Sequence, residues 1–225
     1  MTTKNTVQIA VYSDIACPWC FIGMRRLQSV IDDWSDDVEF QVEHHAYMLN
    51  PDLPAGGIDS HAEISRKYGI SDLRPMFARV EAAARDTGMD LDLFKQKRGY
   101  STVGAHTLLR HAAARGTQGA LADALFVAYF MDALDVSDRA VLTELATRHG
   151  FSADEVARIL GDEGELSITR DEARQASAGG ITGVPFFIID ERYSISGAQP
   201  AEIFREAITL SLQAAGSDGT ASAAR

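Results

Sequence analysis

Residues 7–27, VQIAVYSDIACPWCFIGMRRL, decide the reading of the chain. The first six, VQIAVY, are mostly β-forming residues and read as a strand. From Pro18 the period changes. Phe21, Met24, Leu27, Ile31 and Trp34 recur at three- and four-residue spacing and make one apolar helix face. Pro18 suits the first helical turn, where its missing amide hydrogen has no intrahelical partner to lose. Residues 38–42, VEFQV, read as a second strand. Residues 7–42 are therefore a strand–helix–strand unit, and a right-handed crossover makes the two strands parallel neighbours.

Cys17 and Cys20 stand where the first strand gives way to the helix, and they are the only cysteines in the chain. A bridge between them closes too small a loop to restrain much of the unfolded chain, so reversible redox chemistry explains the pair better than stability does. Cys17 falls at the helix start, beside free backbone amides and the positive end of the helix dipole. These stabilise a thiolate, so its pKa is expected to be depressed and its sulfur reachable. Cys20, one turn later, is close enough to attack a mixed disulfide on Cys17. Three other readings stand beside this one. A structural zinc site needs about four ligands, and no ligand-like spacing links His44, His45 or His106 to the cysteines, so no metal is expected. The pair is otherwise two inert buried thiols, or the remnant of a redox motif in a fold that works differently.

A second feature is Gly183-Val184-Pro185, which leads into the apolar strand Phe186-Phe187-Ile188-Ile189. A proline entering a sheet removes a ladder donor. A cis Val184–Pro185 bond gives it a purpose, turning the Val184 backbone outward beside the dithiol, where an edge can pair with substrate. Asp190-Glu191-Arg192 is a turn, Tyr193–Ser196 returns as the second strand of a hairpin, and Pro200 opens a helix carrying Ile203, Phe204, Ala207 and Ile208.

Between the two strand regions lie about 115 residues of helical pattern. The 47–59 stretch is a Pro/Gly-rich loop. Ser60 with Glu63 has capping-box spacing, and helices are expected over about 72–87, 102–115 and 119–134. Ser137 is expected to cap a helix over 138–149. Ser152 with Glu155 opens a short helix to about 160, and another helix covers 171–178. The order β-α-β, helical block, β-β-α is an α/β arrangement. Its two ends close into one small sheet and the helical block becomes an insertion, because neither end alone has enough strands to bury both sheet faces. The expected division is residues 1–50 plus 180–214 as one domain, 60–178 as the inserted helical domain, and 215–225 as a flexible tail.

Composition bounds the partners. The chain has 225 residues with 46% hydrophobic and 24% charged, which is ordinary for a globular protein. The net charge of −11 and a pI near 4.9 disfavour nucleic acid and anionic membrane surfaces. No apolar run reaches transmembrane length, and MTTKNTVQIA lacks a signal-peptide pattern, so a cytoplasmic location is expected.

The stretch Ser13-Asp14-Ile15-Ala16-Cys17-Pro18-Trp19-Cys20-Phe21-Ile22-Gly23, with Arg25-Arg26-Leu27 after it, resembles the active-site signature of the cytosolic DsbA-like oxidoreductases of the FrnE type. Gly183–Phe187 resembles that family's cis-proline segment and Ser196–Pro200 its loop into the last helix; Asn50–Pro54 and Ala105-His106 match weaker stretches. The resemblance spans about residues 7 to 210 and implies a thioredoxin-like fold with a large all-helical insertion. It also implies a thiol–disulfide oxidoreductase with Cys17 as nucleophile, Cys20 as resolving cysteine and Pro185 as the cis-proline. The partner is then a protein or small-molecule disulfide. No cofactor is expected to be tightly bound, with glutathione or another low-molecular-weight thiol as a co-substrate, and there is room for a homodimer. The alternative is a relative of the 2-hydroxychromene-2-carboxylate isomerases and kappa-type glutathione transferases, or a non-catalytic peptide binder. Those isomerases and transferases usually carry serine where this chain has Cys17.

Around the dithiol, Pro18, Trp19, Val184 and Phe186 are candidate substrate contacts. Trp19 is expected to flank the groove as an exposed aromatic. Tyr47, Met48 and Leu49 are candidates for the loop beside it. His106 is expected to be a buried, hydrogen-bonded helix residue, and Arg25 and Arg26 to form a solvated helix face.

Overall fold

A computed structural model of the chain describes residues 5–54 and 56–222. Strand β1 (Asn5–Ser13) is followed by helix α1 (Pro18–Trp34) and strand β2 (Val38–Ala46). β1 and β2 pair in parallel from Asn5↔Val38 to Ser13↔Ala46, as the crossover requires. β2 runs four residues beyond the stretch read from sequence, because His44 and His45 continue the ladder.

The helical block follows. A two-residue strand β3 (Ile58–Asp59) leads into α2 (Ser60–Tyr68), then α3 (Arg74–Arg85), and β4 (Arg98–Gly99) pairs back on β3. Next come α4 (Val103–Ala113) and α5 (Gln118–Phe126), which passes into a wider π-helical turn over Val127–Met131. α6 (Arg139–Thr147), α7 (Ala153–Gly161) and α8 (Glu163–Ala178) complete the block. Strands β5 (Phe186–Ile189) and β6 (Tyr193–Ser196) and helix α9 (Ala201–Ser222) close the fold.

Several boundaries differ from the sequence reading, each for a local reason. The cap of α2 is Asp59, whose carboxylate accepts from the Ala62 amide at 2.9 Å, so Ser60 is already helical. α6 is capped by Asp138, because the Ser137 hydroxyl is held by Asp135 at 2.5 Å. Ser152 caps α7 as read. α8 starts eight residues earlier than the sequence suggests, with Asp162 capping its polar first turns. The expected flexible tail from 215 is helical through Ser222, since no proline interrupts a helix already nucleated; residues 223–225 lie outside the described residues.

The main sheet has the order β2-β1-β5-β6, with β5 antiparallel to both neighbours. Val7, Ile9 and Val11 alternate along β1 onto one face and pack with Leu27 and Val30 of α1 and Phe204 and Ile208 of α9. Phe187 meets Phe204 edge-on at 4.9 Å. α1 also has a second buried side, where Phe21 stacks on Phe126 at 5.3 Å within the core of the helical block. α1 thus lies between sheet and insertion, and its N-terminus opens at their seam. No described helix is long and apolar enough to cross a membrane.

Candidate active site

Cys17 is the N-cap residue of α1, with extended backbone and no side-chain capping bond. Its amide donates to Asp14 O at 3.0 Å, and its carbonyl accepts from the Cys20 amide at 3.0 Å. Its thiol is therefore free to turn away from the helix, and it donates to the Val184 carbonyl at 3.7 Å. The two cysteines are not bridged to one another. The Val184–Pro185 bond is cis. The structure thus brings together Cys17, Cys20, Val184 and Pro185, which lie about 165 residues apart in the chain.

Gly23 explains how Pro185 comes so close. A Cβ at Gly23 would stand 3.0 Å from Pro185 Cγ and 3.2 Å from Phe187 Cζ, so only glycine leaves room for the proline against α1. On the far side of the loop, Arg26 Nη1 donates to Ala198 O at 2.5 Å. Arg26 ties α1 to the segment after β6 and is not the solvated residue expected. Arg25 likewise pairs with Asp123 of α5 at 2.8 Å and lies over the Phe21 ring.

Burial separates the two thiols. Cys20 is fully buried, and that burial pushes its thiol well above the ordinary range, with Cys17 adding to the effect. Cys17 is 5% exposed, which is more enclosed than the sequence reading expects. It borders a cavity of about 700 Å³ between the end of α1, the 49–58 loop, α2, α3 and the π-helical turn. Pro18, Trp19, Leu49 and Val184 line this cavity with it. Trp19 is half-buried and packs on the core of the insertion while also forming wall. Phe186 does not border the cavity; it faces the opposite side from Phe187, paired with Tyr12 and Ser196.

Two buried groups were not legible as site residues. Asp14 follows the last residue of β1 at 2% exposure, with its carboxylate accepting from the Leu49 amide at 2.7 Å and the Ala16 amide at 3.2 Å. It thereby fixes the CPWC loop to the cavity loop. His106 Nε2 of α4 lies 3.5 Å from Asp14 Oδ1, buried and without a hydrogen bond at that nitrogen, where a satisfied ring is expected. The available signal was an acid at the end of an apolar strand, three residues before the first cysteine. Among the described residues, no group of three or more His, Cys, Asp and Glu side chains is placed to hold a metal.

Comparison with known proteins agrees with this geometry. Residues 8–209 match the DSBA-like thioredoxin domain. The solved structure of a probable DsbA oxidoreductase from Streptomyces coelicolor is 34% identical, with a TM-score of 0.81 over 92% of this chain and 90% of that one. An uncharacterized protein of Bacillus subtilis, YwbO, is 27% identical over 213 residues, 91% of this chain and 96% of that protein. The cytosolic disulfide reductase DsbM of Pseudomonas aeruginosa, 20% identical, shares the fold with a TM-score of 0.62 over 92% of this chain and 99% of its own. With its thioredoxin-like sheet, all-helical insertion and CxxC pair at Cys17 and Cys20, the chain belongs to the DSBA-like thioredoxin domain family of thiol–disulfide oxidoreductases.

Proposed function

We propose that the chain exchanges disulfides through a mixed disulfide on Cys17. The observation that carries this reading is the unequal placement of the two sulfurs. Cys17 faces the cavity and Val184, while Cys20 sits one turn behind it, sealed from solvent. In the reducing direction the Cys17 thiolate attacks one sulfur of a substrate disulfide and expels the other as a thiolate, which takes a proton. Cys20 then gives up its proton and attacks Cys17 Sγ, releasing the second substrate thiol and leaving a Cys17–Cys20 disulfide. Two electrons pass from the dithiol to the substrate. The proton that Cys20 gives up passes to the departing substrate thiolate; beside it, the Asp14 backbone lowers the pKa of the Cys20 thiol and the Asp14 charge raises it. Pro18, Trp19 and Val184 contact the substrate, and Pro185 holds the Val184 carbonyl against the nucleophile.

A low-molecular-weight thiol returns the electrons. A fold relative, DsbM, is described with glutathione. We place the protein in the cytoplasm as a reductase or isomerase of the FrnE type, on the resemblance of the residue 13–23 motif. The retained Cys17 thiol favours this over an isomerase of the 2-hydroxychromene-2-carboxylate type.

The test is turnover of a chromogenic disulfide with glutathione as the electron donor. Wild type is expected to turn over, Cys17→Ser to fall to background, and Cys20→Ser to stall as a mixed disulfide visible by mass. Full activity in Cys17→Ser contradicts the assignment.

A further inference from the structure

The cavity beside Cys17 has more space than a thiol needs. Its about 700 Å³ falls within the roughly 300–1,000 Å³ that encloses a small organic ligand. Three of its polar side chains, Ser60, Gln96 and His61, are already committed to the protein. Ser60 Oγ donates to Gln96 O at 3.0 Å, Gln96 Nε2 donates to Tyr129 O at 2.9 Å, and His61 Nε2 lies 3.2 Å from Leu93 O. What faces the space is therefore largely apolar: Ile64, Met76, Val80 and the rings of the π-helical turn. That widened turn, an irregularity often found at functional sites, places Tyr129 and Phe130 in the wall.

The charged groups of the lining all lie on α2. Arg66 donates from Nε at 2.9 Å to Glu63, and its Nη2 also reaches that carboxylate at 2.5 Å, so the two cancel. Lys67, exposed at the mouth with its Nζ 5.8 Å over the Tyr68 ring, remains without a carboxylate partner in the lining and gives this edge one net positive charge on a chain whose total is −11.

From the enclosed thiol, the apolar wall and the single cationic edge we infer that the cavity binds a small organic disulfide with an apolar arm and an anionic end. The arm lies against Ile64, Met76 and Phe130, and the anion lies at Lys67. The inference rests on the dithiol reading and adds the substrate class. Attack by the Cys17 thiolate then forms one sulfur–sulfur bond to the arm-bearing half and expels the other half as a thiolate. Two electrons come from the dithiol, as above.

The test uses Cys20→Ser, so that only Cys17 reacts and the adduct persists. Methyl, benzyl, sulfonatoethyl and trimethylammonioethyl methanethiosulfonates are compared, each rate divided by the rate with N-acetylcysteine. Benzyl is expected to exceed methyl by about tenfold or more, given the rate gain of about fourfold per buried methylene equivalent. The anionic reagent is expected to exceed the cationic one despite the chain's net charge. Ile64→Phe, which fills the cavity, is expected to lower the benzyl-to-methyl ratio, and Lys67→Gln the anion-to-cation ratio. Equal corrected rates for benzyl and methyl overturn the inference, as does a preference for the cation. A wild type that reduces insulin disulfides faster than a carboxylated benzyl disulfide assigns the cavity to polypeptide and also overturns it. Failure of the dithiol reading itself is seen separately, as a wild type that forms no reversible Cys17–Cys20 bridge.

Discussion

Two sulfurs one helical turn apart have different surroundings here, and the difference assigns their order of action. Cys17 borders open space and Cys20 borders none. That order was already legible in C-P-W-C, because the first cysteine of such a motif stands outside the helix and the second inside it. Trp19, between them, brings no charge. A histidine there would place a cation beside the reduced sulfur and stabilise the ionised dithiol. Trp19→His is expected to raise the reduction potential, measured by equilibration in glutathione buffers; an unchanged or lower potential contradicts this. Asp14 and His106 were not legible in the same way. Their meaning depends on a contact across 92 residues of sequence, which no local pattern encodes.

At the scale of elements, β2 forms one edge of the sheet, and the insertion covers part of that edge with one side chain. Gln118, at the first turn of α5, accepts from the His44 amide at 2.9 Å and donates to the His44 carbonyl at 2.9 Å. The amide side chain imitates a neighbouring strand where the sheet ends. Gln118→Ala leaves two buried backbone groups unpaired, and it is expected to lower stability by about 2–4 kcal/mol. Urea denaturation checks this, and a loss below about 0.5 kcal/mol would mean the clasp carries nothing. Strands and amphipathic helices were readable because each buries a regular face. α8 was half missed because its first turns are polar on every side and its start depends on the Asp162 cap. The π-helical turn was missed because its apolar residues fit an ordinary helix.

At the scale of the molecule, the fold buries His44, with His106 and His45 as its nearest imidazoles and Gln118 on its backbone. Burial first, and then those two imidazoles, lower its pKa to about 4. The unfolded chain takes up this proton near pH 6.5, while the folded chain resists it until about pH 4. The stability contribution is therefore complete above pH 6.5 and is lost as pH falls towards 4, by about 3 kcal/mol in all. His45 opposes this: its pKa is raised, first by the hydrogen bond to Glu172, so its contribution is complete below about pH 6.5 and fades above it. Denaturation from pH 7 to 4 is expected to show a steeper decline in wild type than in His44→Gln, by about one proton; equal slopes contradict it. The insertion and the α/β order were legible from the change of period along the chain. The cavity was not, because its walls come from the 49–58 loop, α2, α3 and the turn after α5, which meet only in the folded molecule. The chemistry depends on a reversible bond between the two sulfurs. Equilibrating wild type across a series of reduced and oxidised glutathione ratios, then trapping with acid and measuring intact mass, tests it most directly. A single reversible transition that removes two hydrogens and maps to Cys17–Cys20 is expected. A protein that stays reduced throughout, or that is captured only as an unresolved glutathione adduct, would contradict it.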